Sequence, residues 1–147
     1  MEEIRILAIN PGSTSTKIAV FSGANPMFVR TIYHSTEELA GFEKITDQYS
    51  FRKDIILKQL EEAGIELNTL SVIVGRGGLV KPIPSGVYEV NEIMKADLRN
   101  SPMGEHASNL GGLIADDIAK SLTNVRAFIT DPVVVDELEP QARLGTP

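Results

Sequence analysis

The sequence lacks residue types on which whole classes of protein depend. Its 147 residues include no cysteine, no tryptophan and only two histidines. Without cysteine there is no disulfide framework and no thiolate metal site. Two histidines alone also argue against a zinc site, because zinc ligands in proteins are chiefly Cys and His.

Long apolar runs and an excess of positive charge are missing as well. No stretch approaches the roughly 18 apolar residues that a membrane span requires. The amino end, MEEIRILAIN, is acidic and enters a strand-like run at once, without the basic flank of a secretory signal. The formal charge of −6 argues against a general nucleic-acid binder, which neutralises phosphates with clustered Lys and Arg. We therefore expect a cytoplasmic protein that binds neither nucleic acid nor membrane.

What is present is typical of one globular α/β domain. Hydrophobic residues make up 42% of the chain and charged residues 23%. Apolar patterns predict strands over 4–9, 17–21, 28–33, 71–75 and 126–130, and a small strand near 87–90. Helices are predicted over about 47–63, 91–98 and 107–122, and a final helix could open at Pro132. The first three strands suggest an antiparallel meander, so the order implies a mixed, essentially five-stranded sheet with flanking helices.

Two finer expectations concern the last third of the chain. On the helix of 107–122, the charged residues Asp116, Asp117 and Lys120 are expected on the outer side. The chain ends at QARLGTP without a closing element, which suggests a fragment of a larger protein.

The loop NPGSTSTK joins the first two predicted strands. Two strands joined by a loop rich in Gly, Ser and Thr can direct N–H groups and hydroxyls at one point, as anion cradles do. Gly12 permits close approach, and Lys17 adds a cation. The hydroxyl groups belong to Ser13, Thr14, Ser15 and Thr16. The loop is neither a P-loop nor a GxGxxG fingerprint, because a strand follows it instead of a helix. From these residues alone a phosphate cradle and an ordinary surface turn are equally good interpretations.

With three further stretches, this loop resembles the butyrate kinases. NPGSTSTK after a strand is similar to the first phosphate motif of the acetate and sugar kinase, heat-shock protein and actin superfamily. Asn10 in place of Asp is typical of the branch that phosphorylates carboxylates. The stretches VGRGGLVKPIPSGVYEVNE, GEHASNLGG and ITDPVVVDELE resemble butyrate kinase closely, so the resemblance spans nearly the whole chain. It implies a ribonuclease H-like, actin-like ATPase half-fold.

The resemblance also implies an activity and a domain organisation. The activity is reversible transfer of a phosphoryl group from ATP to a short-chain fatty acid such as butyrate, giving an acyl phosphate, with Mg²⁺ as the metal. Proteins of this family have two domains and are more than twice this length. We therefore expect residues 1–147 to be the amino-terminal domain, without the carboxy-terminal nucleotide-binding domain. Activity is expected only for the longer form, which we expect to be a homo-oligomer.

Three residues are expected to be catalytic. Arg76 would bind the substrate carboxylate, because a planar guanidinium pairs with two carboxylate oxygens at once. The resemblance places His106 at a residue that stabilises the transferring phosphoryl group, and a neutral N–H donor would serve there. It marks Asp131, at the carboxyl end of a buried strand, as catalytic through magnesium and its waters. The alternatives are an exposed loop arginine, a structural or surface histidine and a helix cap.

The remaining expected site residues belong to the nucleotide and the metal. Asn10 would contact magnesium or its waters, with an Asx turn before Pro11 as the alternative. The expected phosphate-binding residues are Asn10, Gly12, Ser13, Thr14, Ser15 and Lys17. Each buried methylene is worth about 0.8 kcal/mol, so selecting butyrate over acetate needs only a slightly deeper pocket. Its candidate lining residues are Val80, Ile83, Pro84, Val133 and Val134.

Other functions remain open at this level. A noncatalytic actin-like nucleotide-binding or assembly module could use the same half-fold, but it would not need Arg76 or Asp131. An acetate or propionate kinase would differ only in the acid that it accepts. If the loop of residues 10–17 is an ordinary turn, a small α/β binding domain without phosphate chemistry remains.

Overall fold

The computed structural model describes residues 3–135, 137 and 139–143, and it shows a mixed sheet with helices packed on one face. The strands are β1 (Arg5–Pro11), β2 (Ser15–Ser22), β3 (Asn25–Tyr33), β4 (Val72–Arg76), β5 (Val87–Glu89) and β6 (Arg126–Thr130). The α-helices are α1 (Thr36–Leu39), α2 (Tyr49–Glu62), α3 (Glu92–Asn100) and α4 (Asn109–Lys120). Short 3₁₀ turns occur at Ile45–Gln48, Leu67–Thr69 and Pro140–Arg143.

The six strands lie in the order β3-β2-β1-β4-β6-β5. Strands β1, β2 and β3 form the predicted antiparallel meander, and β4 and β6 run parallel to β1. The prediction of an α/β half-fold with a mixed sheet is confirmed. The strand number was wrong, because β5 pairs antiparallel with β6 as a sixth strand.

Helices α2 and α4 cover one face of the sheet, and the strand residues on that face form the core. The period of two along a strand sends alternate side chains to opposite faces. The fully buried strand residues on the covered face include Leu7, Ile9, Ile18, Ile73 and Ile129. Their neighbours Ala8, Ala19 and Val74 point to the other face and are only partly buried. No helix of the described residues is long and apolar enough to cross a membrane.

Helix α4 touches β4 backbone to backbone. A Cβ atom built on Gly75 would overlap the carbonyl group of Gly111, and it would lie 2.6 Å from the Gly112 nitrogen. A Cβ atom on Gly111 would in turn lie 3.1 Å from the Arg76 carbonyl oxygen. The absence of side chains at Gly75 and Gly111 therefore lets the helix start directly against the strand that carries Arg76.

Two expectations for the last third of the chain were wrong. No helix opens at Pro132: Asp131 has φ of 54°, outside the extended region of an N-cap, and Val135 closes a turn onto Pro132. Positions 136 and 138 of the predicted helix lie outside the described residues. Asp116 does not face outward. It is buried and lies 2.7 Å from Lys95 Nζ, because α3 packs against that side of α4.

Candidate active site

The three parallel strands bring the main candidate residues to one edge of the sheet. At that edge lie Asn10, one residue before the end of β1, and the last residues of β4 and β6, Arg76 and Thr130, with Asp131 directly after β6. The segment before α4 adds His106 to the same edge. A cleft of about 430 Å³ is lined by Asn10, Pro11, Arg76, Gly77, His106, Ser108, Asp131, Pro132, Val133 and Val135. Four residues selected from sequence, Asn10, Arg76, His106 and Asp131, thus share one cleft.

Arg76 and Asp131 form an ion pair in this cleft. Arg76 donates from Nε and Nη2 to Asp131 Oδ2, at 3.2 and 3.1 Å. The Gly77 N–H donates to the Thr130 carbonyl at 2.8 Å, which fixes the two strand ends side by side. Both charged side chains are more than half exposed, at 59% and 67%. An exposed pair of this kind contributes about 1 kcal/mol or less, so an incoming anion can replace the carboxylate on Arg76.

The ring of His106 has a defined hydrogen-bond arrangement. Its Nδ1 accepts from the Ser108 backbone N–H at 3.1 Å and lies 2.7 Å from the Ser108 hydroxyl. Because Nδ1 accepts, the neutral ring carries its proton on Nε2. The exposed His106 can therefore present a neutral N–H donor to an anion in the cleft, as its expected role requires.

A buried asparagine holds the two loops of the cleft together. Asn109 is fully buried, and its Oδ1 accepts from the Leu79 N–H at 2.8 Å. Its Nδ2 donates to the Gly104 carbonyl at 3.2 Å. One side chain thus joins the loop after Arg76 to the loop before His106. Nothing in the sequence pattern distinguishes this residue from an ordinary residue in the first turn of a helix.

The expected phosphate-binding residues lie beside the cleft. Gly12 donates to the Ser15 carbonyl at 2.7 Å and closes the turn between β1 and β2, with Ser13 and Thr14 exposed. This turn continues directly from Asn10 and Pro11, but residues 12–15 do not themselves line the cleft. Lys17 lines an adjoining groove of about 280 Å³ on the open sheet face. Asn10, Arg76 and Asp131 line that groove too.

Candidate lining residues of the acyl pocket are divided by the structure. Val133 lines the cleft and is exposed. Val80 is buried in the hydrophobic core, and Ile83 and Val134 pack against that core. Pro84 is exposed but does not line the cleft, so only Val133 of the five candidates is placed to meet a ligand there.

Sequence reasoning missed Arg52, whose guanidinium is buried under the turn of residues 12–16. It is 1% exposed and donates to the Gly12 carbonyl at 2.7 Å. A signal existed, because Arg52 stands four residues before Ile56 and eight before Leu60, on the buried stripe of α2. A charged residue on a buried helix face needs polar partners, and the nearby turn supplies them.

His34 was assigned no function, and the structure places it in the same buried network. Its Nε2 lies 2.8 Å from Thr16 Oγ1. Burial lowers the pKa of His34 below its ordinary value of 6.5, and the Arg52 charge lowers it further, while Glu38 partly offsets these effects. The folded protein therefore favours the neutral ring.

This network predicts a loss of stability in mild acid. The unfolded chain takes up the His34 proton near its ordinary pKa of 6.5, whereas the folded protein takes it up only at lower pH. Below about pH 6.5, protonation of His34 therefore favours the unfolded chain. The free energy of unfolding should fall with decreasing pH by at most about 1.4 kcal/mol per pH unit. Urea unfolding between about pH 7.5 and 5.5 measures it. The variant His34→Gln should flatten the slope, and an unchanged slope would contradict the assignment.

The donor set in the cleft suits magnesium better than zinc. Within the described ranges there is no group of three or more His, Cys, Asp or Glu side chains that could hold a metal ion. Asn10 and Asp131 line the same cleft and offer oxygen ligands with one negative charge. Magnesium commonly binds through one or two such ligands, with waters and substrate phosphates completing its shell. The residues present therefore fit a magnesium ion that arrives with a nucleotide.

Comparison with solved structures defines the fold class. The chain superimposes on acetate kinase from Porphyromonas gingivalis with a TM-score of 0.59 and 13% identity, covering 98% of this chain and 41% of that one. It matches a propionate kinase from Francisella tularensis with a TM-score of 0.54 and 15% identity, covering 87% of this chain and 36% of that one. The chain thus has the fold found in these short-chain carboxylate kinases.

A closer relative is found by sequence. The chain is 54% identical to butyrate kinase 1 of Clostridium acetobutylicum over 141 residues, which are 96% of this chain. It spans 39% of the length of that relative. No protein-family model matches the sequence. The resemblance to the butyrate kinases that the four motifs indicated is thereby confirmed over nearly the whole chain.

Proposed function

We propose that this chain is the amino-terminal domain of a kinase that transfers a phosphoryl group from ATP to a short-chain fatty acid, with butyrate as the preferred acid. The main support is the convergence of Asn10, Arg76, His106 and Asp131 on one cleft at the edge of the sheet. The 54% identity to a butyrate kinase favours butyrate over acetate or propionate. A noncatalytic actin-like module would have no use for an exposed Arg–Asp pair in this position.

The acid needs orientation more than deprotonation. Carboxyl groups titrate near pKa 4 to 5, so a fatty acid is already ionised at neutral pH and its oxygen is ready to attack. Arg76 would bind this carboxylate in place of Asp131, its partner in the free chain. The exchange keeps Arg76 paired throughout and releases the Asp131 carboxylate toward the metal.

The phosphoryl group needs charge neutralisation, because both reactants are anions. Asn10 and Asp131 would hold magnesium or its waters, and the metal would neutralise charge on the nucleotide phosphates. The His106 Nε2–H would donate to an oxygen of the transferring group. The N–H groups of Ser13 and Thr14 and the hydroxyls of residues 13–15, with Lys17, would hold the remaining phosphate oxygens, and Gly12 would close the turn that carries them. We further propose that a second domain supplies most of the adenosine pocket and that the whole enzyme is a cytoplasmic homo-oligomer.

Replacing Arg76 by alanine should weaken use of the acid more than use of ATP. We expect KM for butyrate to rise about 10- to 100-fold, because a charge-assisted bidentate contact is lost. The longer enzyme is this chain joined to the part of butyrate kinase 1 that it does not cover. Steady-state kinetics of this enzyme, with each substrate varied in turn, measures the effect. Lys81→Ala is the matched control, since Lys81 pairs with Asp97 and does not line the cleft. Equal kinetic effects of the two variants would remove Arg76 from the site.

The proposed activity is tested by trapping acyl phosphate with hydroxylamine. The reaction contains ATP, magnesium and a series of acids from acetate upward. Two forms are assayed: this chain alone, and this chain joined to the part of butyrate kinase 1 that it does not cover. We expect hydroxamate only from the joined form, with most product from butyrate. Joined protein that folds but yields no hydroxamate with any acid would refute the proposal, and a preference for acetate or propionate would correct the substrate.

A further inference from the structure

Arg52 is a buried cation, and within the described residues all of its hydrogen bonds go to neutral oxygens. Its Nη1 donates to the Gly12 carbonyl at 2.7 Å, and its Nη2 to the Ser13 carbonyl at 3.3 Å. Nη1 also reaches the Ser15 carbonyl and Thr16 Oγ1, each at 3.1 Å. Arg52 thus binds the turn of residues 12–16 from the interior of the protein.

Gln48 fixes the orientation of this guanidinium. Its Oε1 accepts from Arg52 Nε at 3.1 Å and from Nη2 at 2.8 Å, one helical turn away. Within the part of the chain that the structure describes, no carboxylate forms a salt bridge with Arg52. The positive charge is therefore solvated by carbonyl, hydroxyl and amide dipoles, and no carboxylate of the described residues pairs with it.

The hydrogen bonds from Arg52 to the Gly12 and Ser13 carbonyls determine where the N–H groups of the turn point. In a trans peptide unit, the C=O of one residue and the N–H of the next point in opposite directions. Because the Gly12 and Ser13 carbonyls point inward to Arg52, the N–H groups of Ser13 and Thr14 are directed away from it. Both of these residues are exposed. The outer side of the turn therefore presents two successive N–H donors beside an uncompensated positive charge, an arrangement that attracts anions.

We propose that Arg52 is the positioning residue of this turn: it holds the Gly12 and Ser13 carbonyls inward so that the following N–H groups face a nucleotide phosphate. The inference rests on the proposed function, which assigns the phosphates to this turn. Arg52 itself touches no ligand in this arrangement. It acts through the orientation of the backbone and through its charge, both of which a neutral side chain of equal size would lose.

The test compares two changes on the buried stripe of α2. In Arg52→Lys the charge is kept, but one ammonium group cannot reach all of these acceptors. In Ile56→Val a methylene is removed one helical turn further along, so stability falls without any change at the turn. The chain, joined to the part of butyrate kinase 1 that it does not cover, is titrated with Mg·ATP in the absence of acid, and amide signals are followed by NMR.

We expect the Ser13 and Thr14 amide signals to shift on titration of the unaltered chain and of Ile56→Val, with dissociation constants within about twofold of each other. In Arg52→Lys binding should be about tenfold weaker or more, with smaller shifts at those two amides. If Arg52→Lys does not fold, Gln48→Met provides the test. It keeps Arg52 but removes the oxygen that orients it, and should weaken binding about threefold.

Two results would overturn the inference, and they have different consequences. If Arg52→Lys folds and binds Mg·ATP as Ile56→Val does, Arg52 has no positioning role, while the proposed kinase activity stands on the hydroxylamine assay. If Arg52→Lys does not fold, Gln48→Met that binds Mg·ATP as tightly as the unaltered chain would likewise show that Arg52 has no positioning role. If Ser13 and Thr14 do not shift even in the unaltered chain, the turn is not a phosphate site. The inference and the phosphate assignment then fall together.

Discussion

Replacing Asp131 by asparagine should reduce kcat of the longer enzyme by about 10²- to 10³-fold. Among the described residues that line the cleft, Asp131 is the one carboxylate that can bind magnesium, and an amide would leave the metal charge less balanced. The fold should be retained, because Asp131 is exposed and has φ of 54°, a conformation that asparagine adopts as readily as aspartate. Steady-state turnover with saturating butyrate and Mg·ATP measures the effect.

The same variant should leave KM for butyrate unchanged or lower it. In the free chain the Asp131 carboxylate accepts hydrogen bonds from Arg76. Removing this carboxylate therefore removes a group that competes with the substrate carboxylate for Arg76. Glu137→Gln is a suitable control, since that exposed carboxylate binds Ser85 and does not line the cleft. Full turnover by folded Asp131→Asn would reject its role, and a raised KM for butyrate would contradict the exchange of partners on Arg76.

Gly75→Ala should be among the most destabilising single substitutions in the chain. The added methyl group would overlap the backbone of Gly111, and two backbones cannot separate by changing a rotamer. We expect the free energy of unfolding to fall by about 3 kcal/mol or more, which is a large share of the stability of a small domain. Urea unfolding measures this as a lower midpoint at unchanged slope.

Gly41→Ala is the matched control for this change. Its added methyl group would meet nothing within 4 Å, and Gly41 does not have the positive φ that disfavours side chains. It should be neutral or stabilise the chain by up to about 1 kcal/mol through the unfolded state. Similar midpoints for the two variants would show that α4 does not contact β4 in the way described.

The fold was largely predictable because its signals are local. Apolar runs bounded by turn residues located β1, β2, β3, β4 and β6, and helical spacing located α2 and α4. The prediction of a final helix was wrong. Pro132 is compatible with a first helical turn, but the positive φ of the preceding Asp131 is not visible in the sequence. The prediction that Asp116 faces outward was wrong because its burial depends on its ion pair with Lys95, a residue of another helix. Local patterns cannot show which charged residue meets a partner of opposite charge.

The edge residues were predictable for a different reason. Asn10, Arg76 and Asp131 each lie at or just after the carboxyl end of a buried strand, and the carboxyl ends of parallel strands meet at one edge of a sheet. Arg52 was not found because its partners in the turn stand 36 to 40 residues away in the chain.

The side-chain Nε–H signal of Arg76 tests the central claim most directly. In the free chain this group is bonded to Asp131. Addition of butyrate to the longer enzyme with a nonhydrolysable ATP analogue and magnesium should shift that signal, together with the backbone amides of Asn10, His106 and Asp131. A second groove, lined by residues between Asp54 and Leu67, lies outside the cleft. If butyrate shifts no signal of the four cleft residues, or shifts only signals of that second groove, the cleft is not the site of carboxylate phosphorylation.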